Sequence, residues 1–328
     1  MTTWLKTDHD IVGPDVSIYQ GMVDWATMAA RQTNMGFAMC KATQGTTHVD
    51  SQFKTNLLAM NQHLSTTSRT FPPPTPTSPY THPIAIGVYH FANIIPGQTD
   101  ADYAQQADFF FNTAHNVTSV TVTVTPNYTH ASPSTTTITT PTSTTTTTIT
   151  SKHKTVTVTV RVHPDFWVLD WEDARGHSLS VTERAKFAKT FVTRLYNNLK
   201  SKFGSSYVPK IFIYVGYYYW GNPDVNVVGN VYEWFGSYGP KLWIAAYVTK
   251  NVLPPVQGDW DVVYNDPTLN VPHFAPPHPP HPPHPLPPPT WSAWQYTSSA
   301  RVPGVSGRCD VSVGLSPEVW NSDFYQPP

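Results

Sequence analysis

The sequence predicts an α/β fold, one large domain built as a (β/α)8-type barrel. Three observations carry this. Apolar runs of strand length alternate with segments of helical spacing. Polar, acidic and aromatic residues gather at the C-terminal ends of those runs, where parallel α/β folds keep their chemistry. The 328 residues fall to about 240 once three biased tracts are set aside, near the ~250 typical of such a barrel.

Ile11 to Gln20 reads as a first strand delivering Asp15 near its end, and a short helix runs from Val23-Asp-Trp25 to about Arg31. Gly36 to Thr43 is a second apolar strand. Phe53, Leu57, Leu58 and Met60 mark a helix within Ser51 to Leu64. Ile84 to Phe91 is a third strand, and Thr99 caps a helix carrying Tyr103, Ala107, Phe110, Phe111 and Ala114. Asp165-Phe-Trp-Val-Leu-Asp-Trp-Glu-Asp173 is a buried strand ending in acid. Ser180 and Glu183 then form a capping box, opening a helix whose apolar face is Phe187, Phe191, Leu195, Leu199 and Phe203, with Gly204 at its C-terminal end. Further strands are Lys210 to Gly216, Leu242 to Val248, Trp291 to Thr297 and Arg308 to Val313.

Three insertions interrupt this order. Residues 65–83 are Pro- and Thr-rich and suit neither helix nor central strand. Within 116–163, Thr and Val alternate strictly on both sides of a Thr-rich tip, the pattern of a β-ribbon with a flexible end. Its Thr/Val face is an aggregation-prone edge or a contact surface for another chain. Residues 271–290 are a Pro/His tract with His278, His281 and His284 at a three-residue spacing. A polyproline II helix would put all three on one face, but a solvated spacer is the favoured reading, so neither a metal nor a cofactor is expected.

Only 12% of residues are charged and the formal net charge is -1. This excludes a basic nucleic-acid footprint and a polybasic membrane patch. No apolar run is long enough to span a membrane, and the first ten residues lack a secretory apolar region. Synthesis in a cytoplasm without a signal peptide is the expectation. The two cysteines, Cys40 and Cys309, are expected as buried free thiols.

Asp170 and Glu172 stand two apart on a strand, so both carboxyls leave one face, about 6.5–7 Å apart at the backbone. Such a pair on a rigid element suits glycosidic bond cleavage, and equally a solvated strand end. Trp171 points to the other face and packs. Asp15 and Asp310 are also expected at strand ends. Aromatics reach 13%, and Trp and Tyr faces stack on sugar rings as readily as they fill cores.

At these residues the chain resembles glycoside hydrolase family 25, the Chalaropsis-type lysozymes or N-acetylmuramidases. The resemblance is carried in order by Asp15-Val-Ser-Ile-Tyr-Gln-Gly-Met-Val-Asp-Trp25, Phe37 with Lys41-Ala-Thr-Gln-Gly45, Gly87-Val-Tyr-His-Phe91, Leu169-Asp-Trp-Glu172, Ile213-Tyr214, Leu242 to Tyr247, Trp294 to Ser298, and Val302 to Asp310. It implies a flattened, irregular β/α barrel that cleaves the β-1,4 bond between N-acetylmuramic acid and N-acetylglucosamine in peptidoglycan. It makes Glu172 the general acid/base, Asp170 its partner at the substrate N-acetyl group, and Asp15 and Asp310 lining of the same cleft. Near neutral pH the acid must stay protonated, which neighbouring carboxylates favour, while Asp170 is expected to remain ionised. Tyr19, Trp25, Tyr89, Tyr214, Tyr217, Trp243, Tyr247 and Trp294 are the candidates for contact with sugar. Two positions depart from the family pattern: Gln44 stands where Glu is usual, and Ser312 stands two residues after Asp310 where Asn is usual.

The implied use is a phage-type endolysin released by a holin, or a virion-associated lysin partnered with virion proteins through the ribbon. Two rivals are weighed. A chitinase-like enzyme of family 18 fits Asp165, Asp170 and Glu172 but needs an acid at Val168. A wall-binding or structural virion protein would keep the barrel and lose turnover.

Overall fold

The computed structural model describes residues 11–31, 35–65, 68–71, 80–124, 134–140, 143–149, 156–172, 179–216, 240–245 and 291–314. The strands are β1 (Val12–Val16), β2 (Phe37–Gln44), β3 (His48–Val49), β4 (Ser68–Phe71), β5 (Tyr80–Pro83), β6 (Ala85–Phe91), β7 (Thr118–Val124), β8 (Ser134–Thr140), β9 (Ser143–Ile149), β10 (Val156–Arg161), β11 (Phe166–Asp170), β12 (Ile211–Gly216), β13 (Lys241–Ala245), β14 (Trp291–Ala300) and β15 (Cys309–Gly314). The helices are α1 (Trp25–Arg31), α2 (Phe53–His63), α3 (Asp100–His115) and α4 (Val181–Phe203).

Eight strands close into a barrel in the order β1-β2-β6-β11-β12-β13-β14-β15, with β15 returning to β1 and β3 appended to β2. From β1 through β14 the neighbours are parallel. The last strand departs from the parallel order: β15 runs antiparallel to both β14 and β1. Only a short connection joins it to β14, and a short connection permits an antiparallel pair where a parallel one needs a crossover.

Alternation along the strands sorts side chains into two cores. Inward residues include Phe37, Met39, Tyr89, Phe166, Val168, Phe212, Tyr214 and Trp243. Outward ones, including Val88, Trp167, Leu169, Trp171 and Ile213, meet the helices through Phe110, Phe187, Phe191 and Leu195. The inside is tight. A Cβ on Gly87 would lie 2.1 Å from the Phe166 ring, so only glycine fits beside that phenyl group. Trp171 is buried in the outer core, as its alternation predicts.

Local signals hold at the helix starts. Thr99 and Ser180 each cap their helix with a reciprocal capping box, to Asp102 and Glu183 respectively. Gly204 closes α4 with φ 98°. α3 and α4 are tied by Arg194, whose Nε and Nη2 donate to the two oxygens of Asp108 at 2.7 and 2.9 Å. The Pro/Thr-rich tract contributes a separate antiparallel pair, β4 with β5. The Thr/Val runs pair antiparallel as β7 and β10, and the Thr-rich stretch forms its own pair, β8 with β9. The Pro/His tract with His278, His281 and His284 lies outside the described residues. Cys40 and Cys309 are free and buried. No described helix is long and apolar enough to cross a membrane.

Candidate active site

A cleft of about 370 Å³ opens at the rim where the parallel strands end, and Asp15, Asp170, Glu172 and Asp310 all line it. Asp15 comes from the end of β1, Asp170 and Glu172 from the end of β11, and Asp310 from the start of β15. The reversal of β15 is what brings Asp310 there: its first residues share a rim with the last residues of its neighbours, and Asp310 pairs directly with Asp15.

The acidic strand end is held from both sides. Ala92 N donates to the Asp170 carbonyl and Trp171 N to the Tyr214 carbonyl, each at 2.9 Å. With Trp171 anchored outward, the alternation turns Asp170 and Glu172 into the cleft.

The electrostatics follow from crowding four carboxyls in a partly dry site. Burial, then the neighbouring Asp310, push Asp15 well above the usual carboxylate range. Burial, then Glu172, do the same to Asp170. Glu172 is raised by burial, with Tyr214 pulling it back down. Asp310 is raised to about 6, chiefly by burial. Groups so close lose their protons as a set and cannot all ionise together. The expectation that Asp170 stays ionised beside a protonated Glu172 is therefore not met by burial alone, because Asp170 is buried too. Lys41 is the group that favours its charged form. The Lys41 ammonium lies over the Phe91 ring at 4.6 Å and donates to Gln44 Oε1 at 2.9 Å. A neutral amide at position 44 leaves that positive charge for Asp170.

One Asp170 oxygen, Oδ1, is buried without a hydrogen-bond partner among the described residues. An acceptor left so is costly unless something donates to it.

The aromatic candidates divide. Tyr19, Tyr89 and Tyr214 line the cleft. Tyr19 is 87% exposed, on a single 3-10 turn, Ile18–Gln20, capped by Ser17. Asp50 accepts from Ile18 N at 2.9 Å, and Gln20 Nε2 donates to the Arg308 carbonyl at 3.1 Å. The turn is thus fastened at both ends. Trp25 and Trp243 belong to the core instead. Trp25 is buried on α1 with its Nε1 donating to Asn56 Oδ1 at 3.1 Å. Trp243 fills the barrel interior and donates to Ser312 Oγ at 3.0 Å, which gives that departure from the family pattern a packing role. Their indoles carried the right chemistry, but apolar burial claimed them. Tyr217 and Tyr247 lie outside the described residues, as does the side chain of Trp294.

Sequence reasoning assigned no role to Gln295 or Lys41. Gln295 is buried on β14; Tyr214 Oη donates to its Oε1 at 2.7 Å, and its Nε2 donates to Asp15 Oδ2 at 2.9 Å. The readable signal was a polar residue sharing the inward register of Ala293. Asp165 lies at the opposite end of β11 from the cleft. Its N–H and carboxylate both bond the Ile86 backbone, each at 2.7 Å, so it clamps β11 to β6.

A closed, mostly parallel barrel with four carboxyls around one rim cleft defines the class: an α/β-barrel protein with an acid-lined cleft at the C-terminal rim of its parallel strands. Comparison with known proteins is consistent with that class. Residues 14–68 match the family model for glycosyl hydrolases family 25. The chain is 33% identical over 95 residues to Lysozyme M1 of Streptomyces globisporus, a match spanning 28% of this chain and about a quarter, 25%, of the relative. Its fold is that of a bacterial lysozyme from Streptomyces coelicolor, with 20% identity, TM-score 0.50, and 95% of this chain and 96% of that one covered. It is also that of the catalytic domain of endolysin ply40 from a Listeria monocytogenes bacteriophage, with 14% identity, TM-score 0.52, and 97% and 98% covered. The Clostridium perfringens spore cortex lytic enzyme SleM is similar at 17% identity and TM-score 0.51, with 94% and 68% covered.

Proposed function

We propose that this chain is a family 25 glycoside hydrolase, a lysozyme that cleaves the β-1,4 bond between N-acetylmuramic acid and N-acetylglucosamine in peptidoglycan. The observation that carries the reading is the convergence of Asp15, Asp170, Glu172 and Asp310 on one cleft. The family match over residues 14–68, which includes Asp15, supports it. In this reading Glu172, raised by burial, gives its proton to the glycosidic oxygen as the C1–O bond breaks and the leaving sugar departs as an alcohol. The resulting carboxylate then takes a proton from the water that attacks C1. Asp170 orients the N-acetyl group: its buried, unpartnered Oδ1 accepts the amide N–H, and its charged form, which Lys41 favours against the larger effects of burial and Glu172, faces the positive charge developing at C1. Tyr19 is the exposed aromatic face at the cleft mouth and stacks on a neighbouring sugar.

Clearing of purified peptidoglycan, followed by turbidity, tests this. Glu172→Gln should slow clearing by about 10²–10⁴-fold, the usual worth of a positioned proton donor, while wall binding persists. Wild type that binds walls and leaves them intact would establish the wall-binding alternative instead. We further propose a phage-type lysin, either free or virion-associated, acting on the bacterial wall. The Thr/Val ribbon, β7 with β10, is the surface offered to virion proteins in the second case. Detection of the chain in purified particles decides between the two.

A further inference from the structure

The ring of Tyr19 is 87% exposed, so little packing sets where it stands at the cleft mouth. The backbone beneath it must do so. That backbone is a single 3-10 turn, Ile18–Gln20, too short to hold its own shape. Two ties to distant parts of the chain hold it. At one end, Gln20 Oε1 accepts from Ser17 N at 2.8 Å while its Nε2 donates to the Arg308 carbonyl at 3.1 Å. At the other, Ile18 N donates to Asp50 Oδ2 at 2.9 Å across 32 residues. Asp50 is itself buried and fixed to the barrel. Its N–H donates to the Ala42 carbonyl on β2 at 2.9 Å, and its carbonyl accepts from Phe53 N, at the start of α2, at 3.0 Å. Its second carboxylate oxygen, Oδ1, accepts from Gln52 N at 2.9 Å.

We propose that Asp50 is a positioning residue: by holding Ile18 N it fixes the Tyr19 ring as a platform for a sugar of the bound glycan, and so sets affinity for the strand while the acids carry the chemistry. The proposal rests on the reading of this cleft as a glycan-cleaving site. A ring held in place before binding loses less conformational freedom than one the sugar must itself fix. Both carboxylate oxygens are engaged, one locally and one at long range. In Asp50→Asn an NH2 group replaces one of those oxygens and faces an N–H. The Gln52 bond spans two residues and re-forms locally. The Ile18 bond needs the distant turn to stay docked, and it is the one lost. The side-chain volume is nearly unchanged, so the packing around position 50 is retained.

Asp50 also favours the charged form of Lys41, and Lys41 acts on Asp170. A second route from Asp50 to the acids therefore exists, and comparison with Tyr19 variants separates the two. Kinetics on soluble glycan strands freed of peptide are measured for wild type, Asp50→Asn, Tyr19→Ala and the double variant. Asp50→Asn should raise KM about three- to tenfold, the worth of one aromatic contact, and lower kcat less than about twofold. In the Tyr19→Ala background it should raise KM less than about twofold further, because the platform is already gone. Asp50→Ser keeps a local acceptor for Gln52 N but falls short of Ile18; it should behave alike and guards against misfolding of the first variant. Amide hydrogen exchange in the free proteins gives a readout without turnover: Ile18 N–H should exchange at least about tenfold faster in Asp50→Asn. An unchanged KM, a kcat loss matching the KM rise, an equal KM rise in the Tyr19→Ala background, or unchanged protection of Ile18 N–H would each overturn the proposal. Wild type that leaves walls intact would count against the lysozyme reading, and the Ile18 exchange would still decide whether Asp50 holds the turn.

Discussion

His90 makes acid stability a direct readout of the packing behind the cleft. It lies on β6, fully buried, with Nδ1 2.8 Å from Thr43 Oγ1 and Nε2 3.2 Å from Gln106 Oε1. Its ring stacks on Phe191 at 4.9 Å. Burial drives its pKa down to about 3, with Lys41 adding a smaller push the same way. A folded-state pKa below the unfolded ~6.5 means that the unfolded chain binds a proton first. The His90 contribution is therefore fully present above pH 6.5 and is lost as pH falls towards 3. Between pH 7 and 4.5 that loss is about 2–3 kcal/mol, on the order of two pH units at ~1.4 kcal/mol each. The buried carboxyls act in the opposite sense, so the wild-type curve alone is ambiguous. His90→Gln, which keeps an amide within reach of Gln106, removes the imidazole and leaves the acids alone. Urea unfolding of both proteins at pH 7 and 4.5 gives the difference. The wild type's advantage over His90→Gln should shrink by about 2–3 kcal/mol at the lower pH. An advantage that does not change with pH would mean that His90 titrates normally in the folded protein, and the argument from burial would fail.

Asp310→Asn should stabilise the protein above pH 6 by ~1–2 kcal/mol and cost activity. Its folded-state pKa is raised to about 6, so the stability it gives is present below the unfolded value and lost as pH rises through 6; thermal unfolding at pH 5 and 8 checks the sign. Gly87→Ala should cost ~1–3 kcal/mol, because the new methyl meets the Phe166 ring at 2.1 Å, and adding Phe166→Leu should recover part of it in the same unfolding assay. Tyr19→Ala should leave stability within ~0.5 kcal/mol, since the side chain is 87% exposed, and should raise KM for soluble glycan fragments several-fold more than it lowers kcat.

Much of this molecule is legible along the chain because its determinants are local. Period-two alternation placed Asp170 and Glu172 on one face and Trp171 on the other. The side chains of Ser180 and Glu183 announced the start of α4, and Phe187 through Phe203 its buried face. These depend on residues a few positions apart, so a linear reading reaches them. The indoles of Trp25 and Trp243 stayed open to two readings for the opposite reason: stacking on a sugar and filling a core demand the same surface, and only the position of the neighbours tells which is used.

The sequence by itself determined that a strand would end in two inward carboxyls, and that acids would stand near the ends of the first and last strands. Whether those ends meet depends on closure and direction, which no local pattern encodes. Tertiary structure decided it through β15, whose reversal puts its beginning, and Asp310, at the rim where β1 and β11 finish. It also decided the hydrogen bonds that link Asp15 through Gln295 to Tyr214. Positions 15 and 295 are brought within 2.9 Å only because the barrel closes, and hydrogen-bond direction is a property of that contact, not of either residue.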